Sequence, residues 1–187
     1  MFLTSGLLSA LPLVAHAQLG GIKFQDVGPS AIFGPVRAGD WQSVDYLLKS
    51  GVSPNVRDSD EGQTPLVLAT IGRQLDIVES LLKFNARIDV PDNFGRTALS
   101  WAAVKGEYEI AQILLDAKAN PNHQNKEGLT PLMLAVKNSH VELVRLLLER
   151  KPELVIRDYT GRGPMDWART QRNPRIEAML RQAGVSG

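Results

Sequence analysis

The chain has 187 residues, 43% of them hydrophobic and 22% charged, with a formal net charge of +1 and no cysteine. That balance fits an ordinary soluble domain, and it gives bulk electrostatics no pull toward nucleic acid or an acidic membrane surface. The missing cysteine excludes disulfides, thiolate nucleophiles, cysteine-ligated zinc and a lipid-modified N-terminal cysteine.

The first seventeen residues, MFLTSGLLSALPLVAHA, contain no Asp, Glu, Lys or Arg. They end in Ala15-His16-Ala17, the small-x-small pattern that signal peptidase cuts. Their apolar run is shorter than the ~20 residues a bilayer-spanning helix needs. The pattern predicts a signal peptide over 1–17, cleavage after Ala17 and a periplasmic or secreted mature chain that no longer touches the membrane. No Lys or Arg precedes the apolar run, so an upstream start or an uncleaved anchor stays open as an alternative. Residues 18–29 read as a linker.

Beyond residue 30 the chain repeats itself. Thr64, Thr97, Thr130 and then Gly163 stand 33 residues apart, each two residues after a glycine (Gly62, Gly95, Gly128, Gly161) and seventeen before a leucine (Leu81, Leu114, Leu147, Leu180). A fixed period of this size signals stacked structural units. Within each unit the residue types predict a short helix, a turn and a second helix. Thr64 and Thr130 are good N-caps, and Pro65 and Pro131 follow at the first helical position, where a missing N–H costs nothing. Small residues at Ala69, Ala102, Ala103, Ala135 and Ala168 let neighbouring helices approach closely. Second helices show apolar spacing of three and four residues, as in Val141, Val144, Leu147 and Leu148. Gly51, Asn85, Lys118, Lys151 and Gly184 close them; of these only the glycines and the asparagine are at ease in a left-handed conformation. An extended stretch then leads to a turn, DNFG, NKEG or DYTG, whose glycine accepts positive φ.

Two short helices and a projecting turn every 33 residues, marked D-x-x-G-x-T-P-L, resemble the ankyrin repeat. The resemblance implies an all-α solenoid of stacked helix-turn-helix units with hairpin-like fingers, in repeats of about 30–58, 59–91, 92–124, 125–157 and 158–187. Clear units begin near Asp60, Asp92 and Asn125, and one near Asp158 ends the array with Gly163 in the cap position and Pro174 at an apolar one. The insertion in DSDEG lengthens the first finger by one residue. Gly34 and Pro35 make the first helix short or start it at Pro35. The family often places His directly after Thr-Pro-Leu; here Val67, Ser100, Met133 and Asp166 stand there, so that hydrogen-bond network is missing or altered.

Little in the sequence points to chemistry. After Ala17 the histidines are His123 and His140, with no acid, nucleophile or metal partner in register, and both read as structural. The run Asp58-Ser59-Asp60-Glu61-Gly62 lacks the closing glutamate of a calcium loop. Trp41, Trp101 and Trp167 fall at apolar positions and read as core. Phe94 and Tyr159 sit inside turn tetrapeptides, where each ring either folds back on its neighbouring finger or serves as a binding anchor. Tyr159, beside Arg157 and Arg162, favours the anchor. The charge is uneven: from Arg145 onward nine basic and five acidic residues give +4, against twelve basic and fifteen acidic before it.

The resemblance therefore implies a small exported bacterial repeat protein that binds another protein without catalysis, as a monomer and with no cofactor or metal. It assigns the binding face to Asp60, Gln63, Asn93, Phe94, Arg96, Val104, Lys105, Lys126, Glu127, Leu129, Lys137, Asn138, Tyr159 and Arg162. Phe94, Arg96, Tyr159 and Arg162 are expected to be exposed. An immunity or inhibitor protein against an exported toxin, or an accessory protein for a periplasmic enzyme, would use the same surface. If the leader is removed, mass spectrometry of the mature protein will find Gln18, free or cyclised, at its N-terminus; intact Met1 in a membrane fraction would contradict export with cleavage.

Overall fold

The computed structural model describes residues 28–185. The leader, its cleavage point and nearly all of the 18–29 linker lie outside the described residues. After a 3-10 turn at Pro29–Ile32, the described residues form ten α-helices. They are α1 (Phe33–Ala38), α2 (Trp41–Lys49), α3 (Pro65–Ile71), α4 (Leu75–Lys83), α5 (Ala98–Lys105), α6 (Tyr108–Asp116), α7 (Pro131–Lys137), α8 (Val141–Glu149), α9 (Pro164–Thr170) and α10 (Pro174–Gln182). Two or three residues join the members of each pair, which is the connection of a helical hairpin. The odd-numbered helices pack on one another as an inner layer, and the even-numbered ones form an outer layer. Residues 58–64, 92–97, 125–130 and 158–163 project as fingers between pairs.

Four of the five inner helices start where a cap dictates. The hydroxyls of Thr64, Thr97 and Thr130 accept hydrogen bonds from the N–H groups of Val67, Ser100 and Met133. Gly163 has no hydroxyl to offer, but the Asp166 carboxylate accepts from its N–H at 2.8 Å, preserving the other half of a capping box. Ser100 adds a hydroxyl contact with Thr97 at 3.1 Å. The positions that lack histidine are thus filled by a different polar network in two of the units. Pro35 does not start α1. That helix begins two residues earlier at Phe33, because the first turn of a helix needs no N–H from Pro35.

All five residues that close the outer helices are left-handed, including Lys118 (φ 72°) and Lys151 (φ 53°). A non-glycine residue costs about 1–2 kcal/mol there, so packing of the adjoining layers enforces the bend against local preference. Trp41 is not core. It is 49% exposed, and Leu75 and Tyr108, which also open outer helices, are exposed with it. A side chain at the first position of a helix leans back past the helix start, away from the neighbouring outer helix.

The core runs unbroken from Ile32 to Leu180. Its tightest seam lies between inner helices, where Ala69, Ala102, Ala135 and Ala168 are fully buried. Leucine at position 102 would push α5 off both α3 and α7. Ala102→Leu should therefore cost about 1–3 kcal/mol, read as a lowered urea midpoint; an unchanged midpoint would show that this seam tolerates extra volume.

Candidate functional site

One side-chain oxygen closes each finger. Asp92 Oδ1 accepts from the N–H groups of Phe94 and Arg96, both at 2.8 Å. Asn125 Oδ1 accepts from Glu127 and Leu129 at 2.9 Å each. Asp158 Oδ1 does the same for Thr160 and Arg162 at 2.9 and 3.0 Å. In the first finger this residue is Asp58, bound by the N–H groups of Glu61 and Gln63. The unit therefore begins at Asp58 and not near Asp60: the inserted residue lies between the carboxylate and its glycine, and only Asp58 reaches both amides. The guanidinium of Arg37 adds an ion pair to it at 2.9 Å.

Adjacent fingers are hydrogen-bonded edge to edge. The N–H groups of Asn93, Lys126 and Tyr159 donate to the carbonyls of Glu61, Phe94 and Glu127 at 2.8, 3.1 and 3.1 Å. The approach is close enough to demand glycine. A Cβ at Gly95 would lie 2.9 Å from the Lys126 nitrogen, and one at Gly128 would lie 2.7 Å from the Tyr159 nitrogen.

On this edge sits a strip of aromatic rings and cations. The Arg96 guanidinium lies over Trp101 at 4.8 Å and over Phe94 at 5.6 Å from the ring centres. It also faces Glu127 at 3.6 Å, and Glu127 faces Lys137 at 3.8 Å. Lys137 in turn lies 4.8 Å, and Arg162 3.9 Å, from the centre of the Trp167 ring. The rings are anchored from below: the indole N–H of Trp101 donates to Asp92 Oδ2 at 2.8 Å and that of Trp167 to Asp158 Oδ2 at 3.1 Å. Each aspartate thus closes its finger with one oxygen and fixes a tryptophan with the other. In the fourth unit Leu134 stands where the tryptophans stand, no indole arrives, and Asn125 Nδ2 is buried without a partner.

The structure brings most of the predicted face together. Asp60, Asn93, Phe94, Lys105, Lys126, Glu127, Asn138 and Tyr159 are exposed, with Tyr159 the most open ring at 72%. Val104, Lys137, Arg96 and Arg162 are half-buried, and the two arginines lie over indole rings instead of projecting freely. Gln63 and Leu129 do not belong to an open surface. They are 6% and 1% exposed, because Gln63 turns toward Glu61 and Leu129 into the core. Trp101 and Trp167 are the additions. Their signal was a basic residue just before the cap position and a tryptophan five residues on, at Arg96/Trp101 and Arg162/Trp167.

Both histidines spend a ring nitrogen on the backbone, His123 within its own unit and His140 on the unit before it. His123 Nε2 bonds the Gly95 carbonyl at 2.9 Å and His140 Nε2 the Val104 carbonyl at 3.0 Å. Among the described residues no group of His, Cys, Asp and Glu could hold a metal ion, and no helix is long and apolar enough to cross a membrane.

Paired helices in two layers with hydrogen-bonded fingers along one edge define a helical-repeat solenoid. One family model, of ankyrin repeats in three copies, matches residues 35–125, and a second, of ankyrin repeats in many copies, matches residues 114–166. Together they span most of the described residues, and the chain belongs to the ankyrin repeat family. A stretch of 52 residues is 48% identical to human (Homo sapiens) transient receptor potential cation channel subfamily A member 1, covering 28% of this chain and 5% of that protein. The chain thus matches only a small part of the channel's length.

Burial pushes the Asp158 carboxyl up, but hydrogen bonds from Thr160, the Arg162 N–H and the Trp167 indole together outweigh it and hold the group below its ordinary value of 3.8. A carboxyl depressed in the folded state adds stability that is complete above its unfolded pKa and lost as pH falls through the folded one. Asp158→Asn removes that contribution and sets an amide N–H against the indole N–H, costing about 1–3 kcal/mol at neutral pH. Thermal melts from about pH 6 to about pH 2 should then show a smaller acid-induced loss in the variant than in the wild type; parallel curves would show that Asp158 contributes nothing to the acid transition.

Proposed function

We propose that this chain is a non-catalytic protein-binding module, exported to the periplasm, that engages its partner through the finger edge and the open side of the inner helices. Ankyrin repeats generally serve protein–protein interaction, and these two families of observations, sequence match and fold, agree on that class. The observation that carries the proposal is the state of Phe94 and Tyr159. The rings stand 48% and 72% exposed on fingers closed by Asp92 and Asp158 and hydrogen-bonded to the finger before them. An aromatic ring in water on a rigid support loses little conformational entropy on binding, which is what makes an effective hot spot. The rest of the edge, from Arg96 to Arg162, is preorganised in the same way, so a partner would meet a fixed shape.

The test places a photo-crosslinking residue at 94 or 159, and at 145 on the outer layer as a control. Captured protein should appear with the finger probes and not with the outer one. Phe94→Ala with Tyr159→Ala should weaken that partner by at least about 2 kcal/mol. Glu142→Ala with Arg145→Ala, which breaks only the exposed pairs of Glu142 with Arg145 and Arg175, should leave affinity unchanged. A larger loss from the outer variant would move the binding surface to the other face.

A further inference from the structure

Two cations converge on one indole. Lys137 from α7 and Arg162 from the last finger lie 4.8 and 3.9 Å from the centre of the Trp167 ring. That ring is buried and held by its bond to Asp158, so it fixes the place of both charges. Neither charge is well neutralised. Asp158 faces Arg162 at 3.4 Å, but it is already committed to two backbone N–H groups, the Thr160 hydroxyl and the indole. Lys137 has only Glu127, at 3.8 Å, and shares it with Arg96. Two cations therefore share one exposed carboxylate, Arg162 has only the crowded Asp158, and Lys126 on the neighbouring fingertip makes no ion pair among the described residues.

The hydrogen-bonding capacity points the same way. Arg162 spends Nε on the Thr160 hydroxyl at 2.8 Å, and its two Nη groups have no partner among the described residues. Those groups form the end of the planar fork that binds a carboxylate through two parallel bonds. Both side chains are open enough to be reached, at 37% for Lys137 and 43% for Arg162. At the other end of the same edge, Asp60 and Glu61 are exposed on the first finger and would repel an acidic chain.

We propose that the partner presents an acidic segment, with one of its Asp or Glu carboxylates seated between Lys137 and Arg162 at the edge of Trp167. The inference rests on the finger edge being the binding surface and adds the chemistry that this end of it reads. Glu127 swings aside as the incoming carboxylate replaces it, and the acidic part of the segment lies over the third to fifth units, away from the first finger. Charge complementarity of this kind fixes the direction in which the segment lies.

The test is fluorescence anisotropy with a labelled hexaglutamate peptide, with hexalysine as the opposite-charge probe and inorganic phosphate as competitor. Wild type should bind hexaglutamate and not hexalysine. Lys137→Gln with Arg162→Gln should lose at least about tenfold in affinity, while Lys83→Gln with Arg145→Gln, the same charge removed from the outer layer, should change it less than about twofold. Arg162→Lys, which keeps charge but not the fork, should fall between them, and circular dichroism checks that each variant folds. No binding of hexaglutamate, equal loss in the two double variants, or a preference for hexalysine overturns the proposal. Displacement by phosphate as effective as by the peptide would assign the site to phosphate and overturn it as well. Partner capture at positions 94 and 159 that is indifferent to the glutamine pair would leave the binding edge standing and remove only its acidic partner.

Discussion

A single side-chain oxygen, repeated at Asp58, Asp92, Asn125 and Asp158, takes up two backbone N–H groups that a tight turn leaves without partners. With those amides satisfied the finger can stand clear of the helices without a hydrophobic core of its own. Hydrogen bonds to a charged acceptor are worth about 1.5–3 kcal/mol, enough to hold a finger of so few residues. Edge-to-edge bonds such as Lys126 to Phe94 then join separate turns into one surface. Remove the acceptor, and the neighbouring glycine, the interfinger bonds and the tryptophan it anchors all lose their geometry.

The helices follow from a different constraint. None is longer than nine residues, too short to be stable alone. Each is stabilised by the layer before and after it, through alanine seams inside and leucine, isoleucine and valine between the layers. That mutual dependence explains why Lys118 and Lys151 can be forced into left-handed conformations. It also explains why His140 spends a ring nitrogen on the backbone of the preceding unit. Side chains that in isolation look functional are here part of the cement between units.

The aromatic–cation strip joins these two systems. Trp101 and Trp167 belong to inner helices, Arg96 and Arg162 to fingers, and the aspartate below each ring belongs to both. A guanidinium held over an indole loses some hydration without losing charge, so it meets a partner with less desolvation still to come. The unit between them shows what happens without the ring: Asn125 keeps the finger closed but leaves its amide nitrogen buried and unbonded.

Local chemistry made much of the chain legible. The 33-residue period, the Thr caps, the prolines behind them and the left-handed closing positions all depend on backbone needs within a few residues, and sequence spacing records such needs directly. Contacts between units are not written that way. Gln63 and Leu129 occupy the same place as Arg96 and Arg162, yet the first two turn inward and the others lie on tryptophan rings. Trp41 looks like core but opens an outer helix, and Asp60 looks like the head of a finger that Asp58 in fact closes. The sequence alone determined the repeat, its helices and the edge along which its fingers project, because each is set by a unit's own residues. Which side chains on that edge are buried, stacked or open was decided only by the stack, because it depends on what the neighbouring unit places within reach.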